Sequence, residues 1–169
     1  MDIHCFGRAA SFSELELGAC FGFERRGKLY LAVKYGRTAA AQESSGGVVI
    51  WPGHPELGDQ PGVYAASVFD GPVVHLTKAK FAVSMDGADF HPDYASFDAG
   101  PFIQYGGRLV VFAGSADRQP IPIDLEKGTI APRPDGSPAF RIRKWKIIQP
   151  APNDRDYDTI CEYPAPLPA

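Results

Sequence analysis

From Glu14 to Phe23 the side chains alternate in character. Leu15, Leu17, Ala19, Phe21 and Phe23 share one parity, and Glu14, Glu16, Gly18, Cys20 and Gly22 share the other. A period of two is the mark of a half-buried strand. After the polar turn "ERRGK", the run "LYLAVKY" places Leu29, Leu31, Val33 and Tyr35 on one face, with Tyr30 and Lys34 on the other. Two alternating runs about a Gly-containing loop predict a hairpin. Just before it, Ser11 and Glu14 stand at capping-box spacing, which predicts a single helical turn.

Further along, short apolar runs recur between Gly and Pro. "VVIW" and "VYAASVF" read as strands, and "FIQYGGRLVVFAG" as a hairpin turning at Gly106 and Gly107. Residues 74–85 are ambiguous, because Leu76, Ala79, Lys80 and Val83 also fit a helical spacing; a strand is the preferred reading. Pro120 and Pro122 make "QPIPIDLEKG" an edge-like extended segment, since proline donates no ladder hydrogen bond. "AFRIRKWKIIQP" is the last strong strand. Its alternation slips: Phe140 and Ile142 share one parity, while Trp145 and Ile147 fall on the other. A β-bulge near Arg143 and Lys144 would turn all four inward.

Phe12, Leu15, Gly18 and Phe21, followed by Tyr30 in a second strand, follow an F-x-x-L-x-x-G-x-x-F pattern. Over residues 11–36 the chain resembles small uncharacterised bacterial and phage β-proteins that open this way. The resemblance implies a β-fold and carries no activity with it.

Composition sharpens this picture. With 169 residues, 44% hydrophobic and 22% charged, the chain is long enough for one domain with a real core. Its 18 glycines and 16 prolines leave few breaker-free windows for a long helix. The expected fold is a single mainly-β domain over residues 1–149, an antiparallel barrel or sandwich of short strands with long loops. Residues 150–169, with Pro150, Pro152, Pro164, Pro166 and Pro168, are expected to form an irregular proline-rich tail. No membrane-length apolar run or signal peptide is visible. Cys5, Cys20 and Cys161 have no C-x-x-C spacing, and a reduced, cytoplasmic protein is expected.

The net charge of −3 argues against a dedicated nucleic-acid binder. It is unevenly spread, at +2 over residues 1–40, −6 over 41–117, +4 over 118–149 and −3 over 150–169. The acidic middle contains Asp86, Asp89, His91, Asp93 and Asp98, a group that could hold a divalent cation or supply a general acid and base. The spacing fits no calcium loop, and Asp, Gly and Pro also build turns, so a plain loop is the preferred reading. Asp154, Asp156 and Asp158 alternate like the start of an EF-hand but lack its Gly and its closing Glu. Ser, His and Asp occur without a nucleophile elbow, and His4 and Cys5, as strand neighbours, would face apart. His54 and His75 are isolated. The glycine pairs at 46–47 and 106–107 precede strands, the wrong context for phosphate binding. No catalytic residue, metal or cofactor is expected.

The basic stretch remains. Arg141, Arg143, Lys144 and Lys146 surround Trp145 and form the candidate partner-binding set. Three readings fit: an edge strand guarded by its cations, an acidic protein partner, or a nucleic-acid backbone with a base stacked on the indole. A protein-binding or accessory module is the leading function. The alternatives are a nucleic-acid-binding domain using residues 141–146 and a small metal-dependent or hydrolytic enzyme using the 86–98 loop.

Overall fold

The computed structural model describes residues 7–36, 45–53, 60–91, 100–115, 118–132, 139–151 and 156–163; within these, the side chains of residues 91, 100–102, 115, 118 and 119 are excepted. The strands are β1 (Arg8–Ala10), β2 (Cys20–Arg25), β3 (Lys28–Tyr35), β4 (Gly46–Trp51), β5 (Gly62–Ala65), β6 (Val73–His75), β7 (Lys80–Ser84) and β8 (Asp89–His91). They continue with β9 (Gly100–Tyr105), β10 (Arg108–Ser115), β11 (Arg118–Asp124), β12 (Thr129–Ile130), β13 (Ala139–Arg141), β14 (Lys144–Pro150) and β15 (Tyr157–Tyr163). Two 3-10 turns, Phe12–Glu14 and Ala66–Phe69, are the only helical elements among the described residues. The expected mainly-β class holds.

Twelve strands form one mixed sheet whose main path runs β1-β6-β2-β3-β4-β5-β10-β9-β13-β8, with β11 and β12 branching from β10. The other three form a small antiparallel sheet in the order β15-β14-β7. Both paths are open among the described residues, so no barrel closes. The pairing is also not wholly antiparallel: β5 meets β10 in a parallel bridge from Gly62 to Gly114, and Gly36 meets Thr129 in another. Alternation within a strand cannot report either feature, because closure and parallel bridges join residues distant in sequence.

The predicted hairpin is β2–β3, paired from Cys20 with Val33 to Arg25 with Lys28. It begins later than the alternation does, because Leu15 to Ala19 form a turn, with the Ala19 N–H donating to the Glu16 carbonyl at 3.1 Å. It is also buried on both faces. Cross-strand partners share a face, so Phe21 and Phe23 lie with Ala32 and Tyr30, whereas Leu31 and Val33 lie with Gly22 and Cys20. The first set joins Phe12, Leu15, Val49, Phe69 and Val73 in an aromatic cluster. The second joins Val48 and Ile50, Val111 and Ala113 of β10, Ile123, and Trp145, Ile147 and Cys161 of the small sheet. This second cluster is where the two sheets meet. A third, with Ile103, Tyr105, Val110 and Phe112, covers the other face of β9 and β10.

Gly47 serves the aromatic cluster by having no side chain, since a Cβ there would lie 2.4 Å from the Phe69 ring. The Gly46–Gly47 pair is thus a packing device inside β4. The β9–β10 hairpin turns at Gly106 and Gly107 as expected, both with positive φ.

Three further expectations are corrected. Residues 74–85 are neither one strand nor a helix: β6 pairs with β1 and β2, while β7 pairs with β14 in the other sheet. "VYAASVF" divides into β5 and a 3-10 turn. Tyr157–Tyr163, expected within the irregular tail, form β15 beside β14. The prolines of this region flank that strand rather than interrupt it, leaving its N–H groups free for the ladder.

Candidate partner-binding site

The five residues singled out on the basic stretch do not share one surface. Arg141 ends β13, which lies between β9 and β8. After Ile142 and Arg143 the chain enters β14, which lies between β15 and β7. The slip in alternation marks this passage from one sheet to the other. A sheet change replaces the expected bulge, and its effect is the one predicted for three of the four: Ile142 and Ile147 are fully buried and Trp145 nearly so, while Phe140 is half-buried against the exposed Phe90. Neither strand is an edge strand, so guarding an edge does not explain the cations.

Trp145 faces the core and stacks on Tyr163, with ring centroids 5.8 Å apart and planes at 11°. Its indole offers no exposed platform for a base. Arg141, Arg143, Lys144 and Lys146 are all exposed, as the cost of burying unpaired charge requires.

Two of the four find acids in the −6 segment. Arg143 Nε donates to Asp89 Oδ2 at 2.8 Å and its Nη2 donates to the same oxygen; Lys144 Nζ donates to Asp86 Oδ2. Register explains the proximity: Asp89 of β8 lies opposite Arg141, and Lys144 lies opposite Ser84, just before the turn carrying Asp86. The Lys144 ammonium, hydrogen-bonded to Asp86, holds that carboxyl below the ordinary value of 3.8. Among the described residues no ion pair reaches Arg141 or Lys146.

These contacts bear on the loop considered for chemistry. Asp86 and Asp89 are engaged by cations; Asp93, Asp98 and the His91 side chain lie outside the described residues. Among the described residues, no three His, Cys, Asp or Glu side chains converge as metal ligands would. Asp156 and Asp158 are exposed at the start of β15, Asp154 lies outside the described residues, and so do His4, Cys5 and His54. His75 is half-buried in β6.

Sequence reasoning missed Lys34. Placed by alternation on a polar face, it is only 3% exposed. Its Nζ donates to the carbonyls of Leu15 at 2.7 Å, Phe12 at 3.0 Å and Ser13 at 3.3 Å, and lies 4.9 Å from the centre of the Phe12 ring. Three acceptors match the three protons of an ammonium. Burial still pushes its pKa below 10.5. The signal available in advance was the capping-box turn: 3-10 turns leave carbonyls in need of donors.

Cys20 and Cys161 are free thiols in the cluster between the sheets, and burial pushes both up to about 12. They are suited to packing rather than nucleophilic attack. No helix among the described residues is long and apolar enough to cross a membrane. No protein-family model, curated protein or solved structure matches the chain.

Proposed function

We propose that this protein is a non-enzymatic binding or accessory module whose partner is another protein. The observation that carries this reading is the exposed cation set on β13 and β14. Arg141, Lys144 and Lys146 project from strands interior to their sheets and Arg143 from the connection between them, with Ile142, Trp145 and Ile147 buried alongside. Rigid presentation of surface charge favours encounter with an acidic partner and adds selectivity. Two internal carboxylates offset part of this charge, and among the described residues no acid pairs with Arg141 or Lys146.

The alternatives draw less support. Nucleic-acid binding loses its stacking residue because Trp145 is inside, and of the loop considered for hydrolytic or metal chemistry, Asp86 and Asp89 are already engaged by Lys144 and Arg143. Sheet-on-sheet packing about the shared cluster is the architecture we assign to the module, with a reducing, cytoplasmic setting consistent with its two buried free thiols.

The test is charge reversal at Arg141 and Lys146, which no acid among the described residues pairs with. The R141E/K146E double variant should fold, because both side chains are exposed, and should lose at low salt whatever the wild type captures from host extract. A folded variant that captures the same partner equally well places the interface elsewhere.

A further inference from the structure

Among the described residues, the small sheet is covered on one side only. Trp145, Ile147 and Cys161 of its strands enter the shared cluster, with Phe81 and Val83 packed against it. Register identifies the opposite face. Lys144 lies beside Ser84, Lys146 between Ala82 and Glu162, and Ile148 between Lys80 and Thr159; Pro150 lies beside Tyr157. Of these, Lys80, Ser84, Lys144, Lys146, Tyr157, Thr159 and Glu162 are exposed, and Ile148 is half-buried at the centre.

Resting on the reading of a protein-binding module, we propose that this face of β7, β14 and β15 is the docking surface, and that its occupant is an extended acidic protein segment with carboxylates at alternate positions. Charge is the first argument. Lys80, Lys144 and Lys146 stand against one acid on the face, Glu162, and one reaching it from the turn, Asp86. Spacing is the second. Lys144 and Lys146 are two residues apart on one strand, hence about 7 Å. Lys80 lies one rung further on, level with Ile148. An extended chain repeats its side chains at the same interval, so alternate Asp or Glu would meet successive lysines. Ile148 and Tyr157 lie on the same face, where they can meet the aliphatic stems of the carboxylate side chains, while the intervening side chains point away from the surface. Asp86 on Lys144 shows the contact in miniature, a carboxylate already seated on this row.

The surface excludes Arg141, which projects from the other sheet. That separation makes the proposal testable apart from the functional reading. A fluorescent peptide of alternating Glu and Ser, titrated into the full chain, should bind at low salt and weaken as salt rises. K80E and K146E should each reduce its affinity at least about tenfold, while R141E should leave it within twofold. Melting curves of the three variants should match the wild type. Equal loss with R141E, or no loss with K80E and K146E, would overturn the assignment of this face. So would an absence of peptide binding, or tighter binding of a single-stranded oligonucleotide of equal charge. If the captured partner is released by R141E/K146E while the peptide is indifferent to K80E and K146E, the binding module stands and this surface falls.

Discussion

The β2–β4 region and the β7–β14–β15 sheet handle lysine in opposite ways. In the first, strands are buried on both faces, and Lys34 lies inside with its ammonium spent on three carbonyls of the 12–15 turn. In the second, one face is buried and Lys80, Lys144 and Lys146 stand on the other, in water or against a surface carboxylate. The contrast shows that a cation's role follows from which acceptors surround it. A buried ammonium holds structure together because removing it orphans its acceptors, whereas an exposed one is nearly neutral for folding and remains available for recognition.

The most damaging change should be in the doubly covered sheet. Phe21 is fully buried and meets Phe12, Phe23 and Phe69 within the aromatic cluster. Phe21→Ala should cost about 3–5 kcal/mol, a large share of the stability of a domain this size. Denaturant melts would read this directly, and an unchanged midpoint would mean the cluster is not the one described.

Next comes a kinetic comparison of the two sheets. Cys20 belongs to β2 and Cys161 to β15, both in the shared cluster and both held protonated by pKa values near 12. At neutral pH their alkylation should run at least about a hundredfold slower than in the unfolded chain. Mass spectrometry of partial labelling would sharpen the contrast: earlier modification of Cys161 would mean that the small sheet opens by itself, and simultaneous modification that the two sheets open as one.

Lys34→Met keeps the side chain's length and leaves the Phe12, Ser13 and Leu15 carbonyls without their donor. A cost of about 1–3 kcal/mol is expected, against less than about 0.5 kcal/mol for Lys146→Met. Equal melting temperatures for the two variants would erase the distinction between the two lysines.

The smallest effect concerns Asp86. Its folded pKa is depressed by Lys144, so the ion pair contributes above the unfolded pKa and is lost as pH falls through the folded one. Because both partners are exposed, the gain in stability should be slight and should vanish at high salt. An NMR titration should find the Asp86 carboxyl below 3.8 in the wild type and back near it in Lys144→Met. No movement would mean that Lys144 is not its partner.

Much of the local structure was legible. The β2–β3 alternation, the Gly106–Gly107 turn and the Ser11–Glu14 turn all depend on contacts within a few residues, and all appear. The slip between Ile142 and Trp145 was legible as an irregularity, though its meaning was not, because a bulge and a change of sheet leave the same trace in the sequence. Part of the candidate site was legible too: the four cations are exposed and Trp145 turns inward, but its stacking partner Tyr163 lies on β15, a strand obscured by the prolines around it.

By itself, the sequence determined the β class, the hairpins and the requirement that Arg141, Arg143, Lys144 and Lys146 reach water or acids. These follow from side-chain period, turn chemistry and the cost of burying charge, each of which acts locally. Only the tertiary structure decided that Lys34 lies inside, that β6 and β7 part into different sheets, that Asp86 and Asp89 meet Lys144 and Arg143, and that Lys80, Lys144 and Lys146 share one exposed face of the small sheet. Each of those outcomes depends on segments far apart in the chain arriving side by side, and the packing of the whole core sets that arrangement rather than the pattern of any one strand.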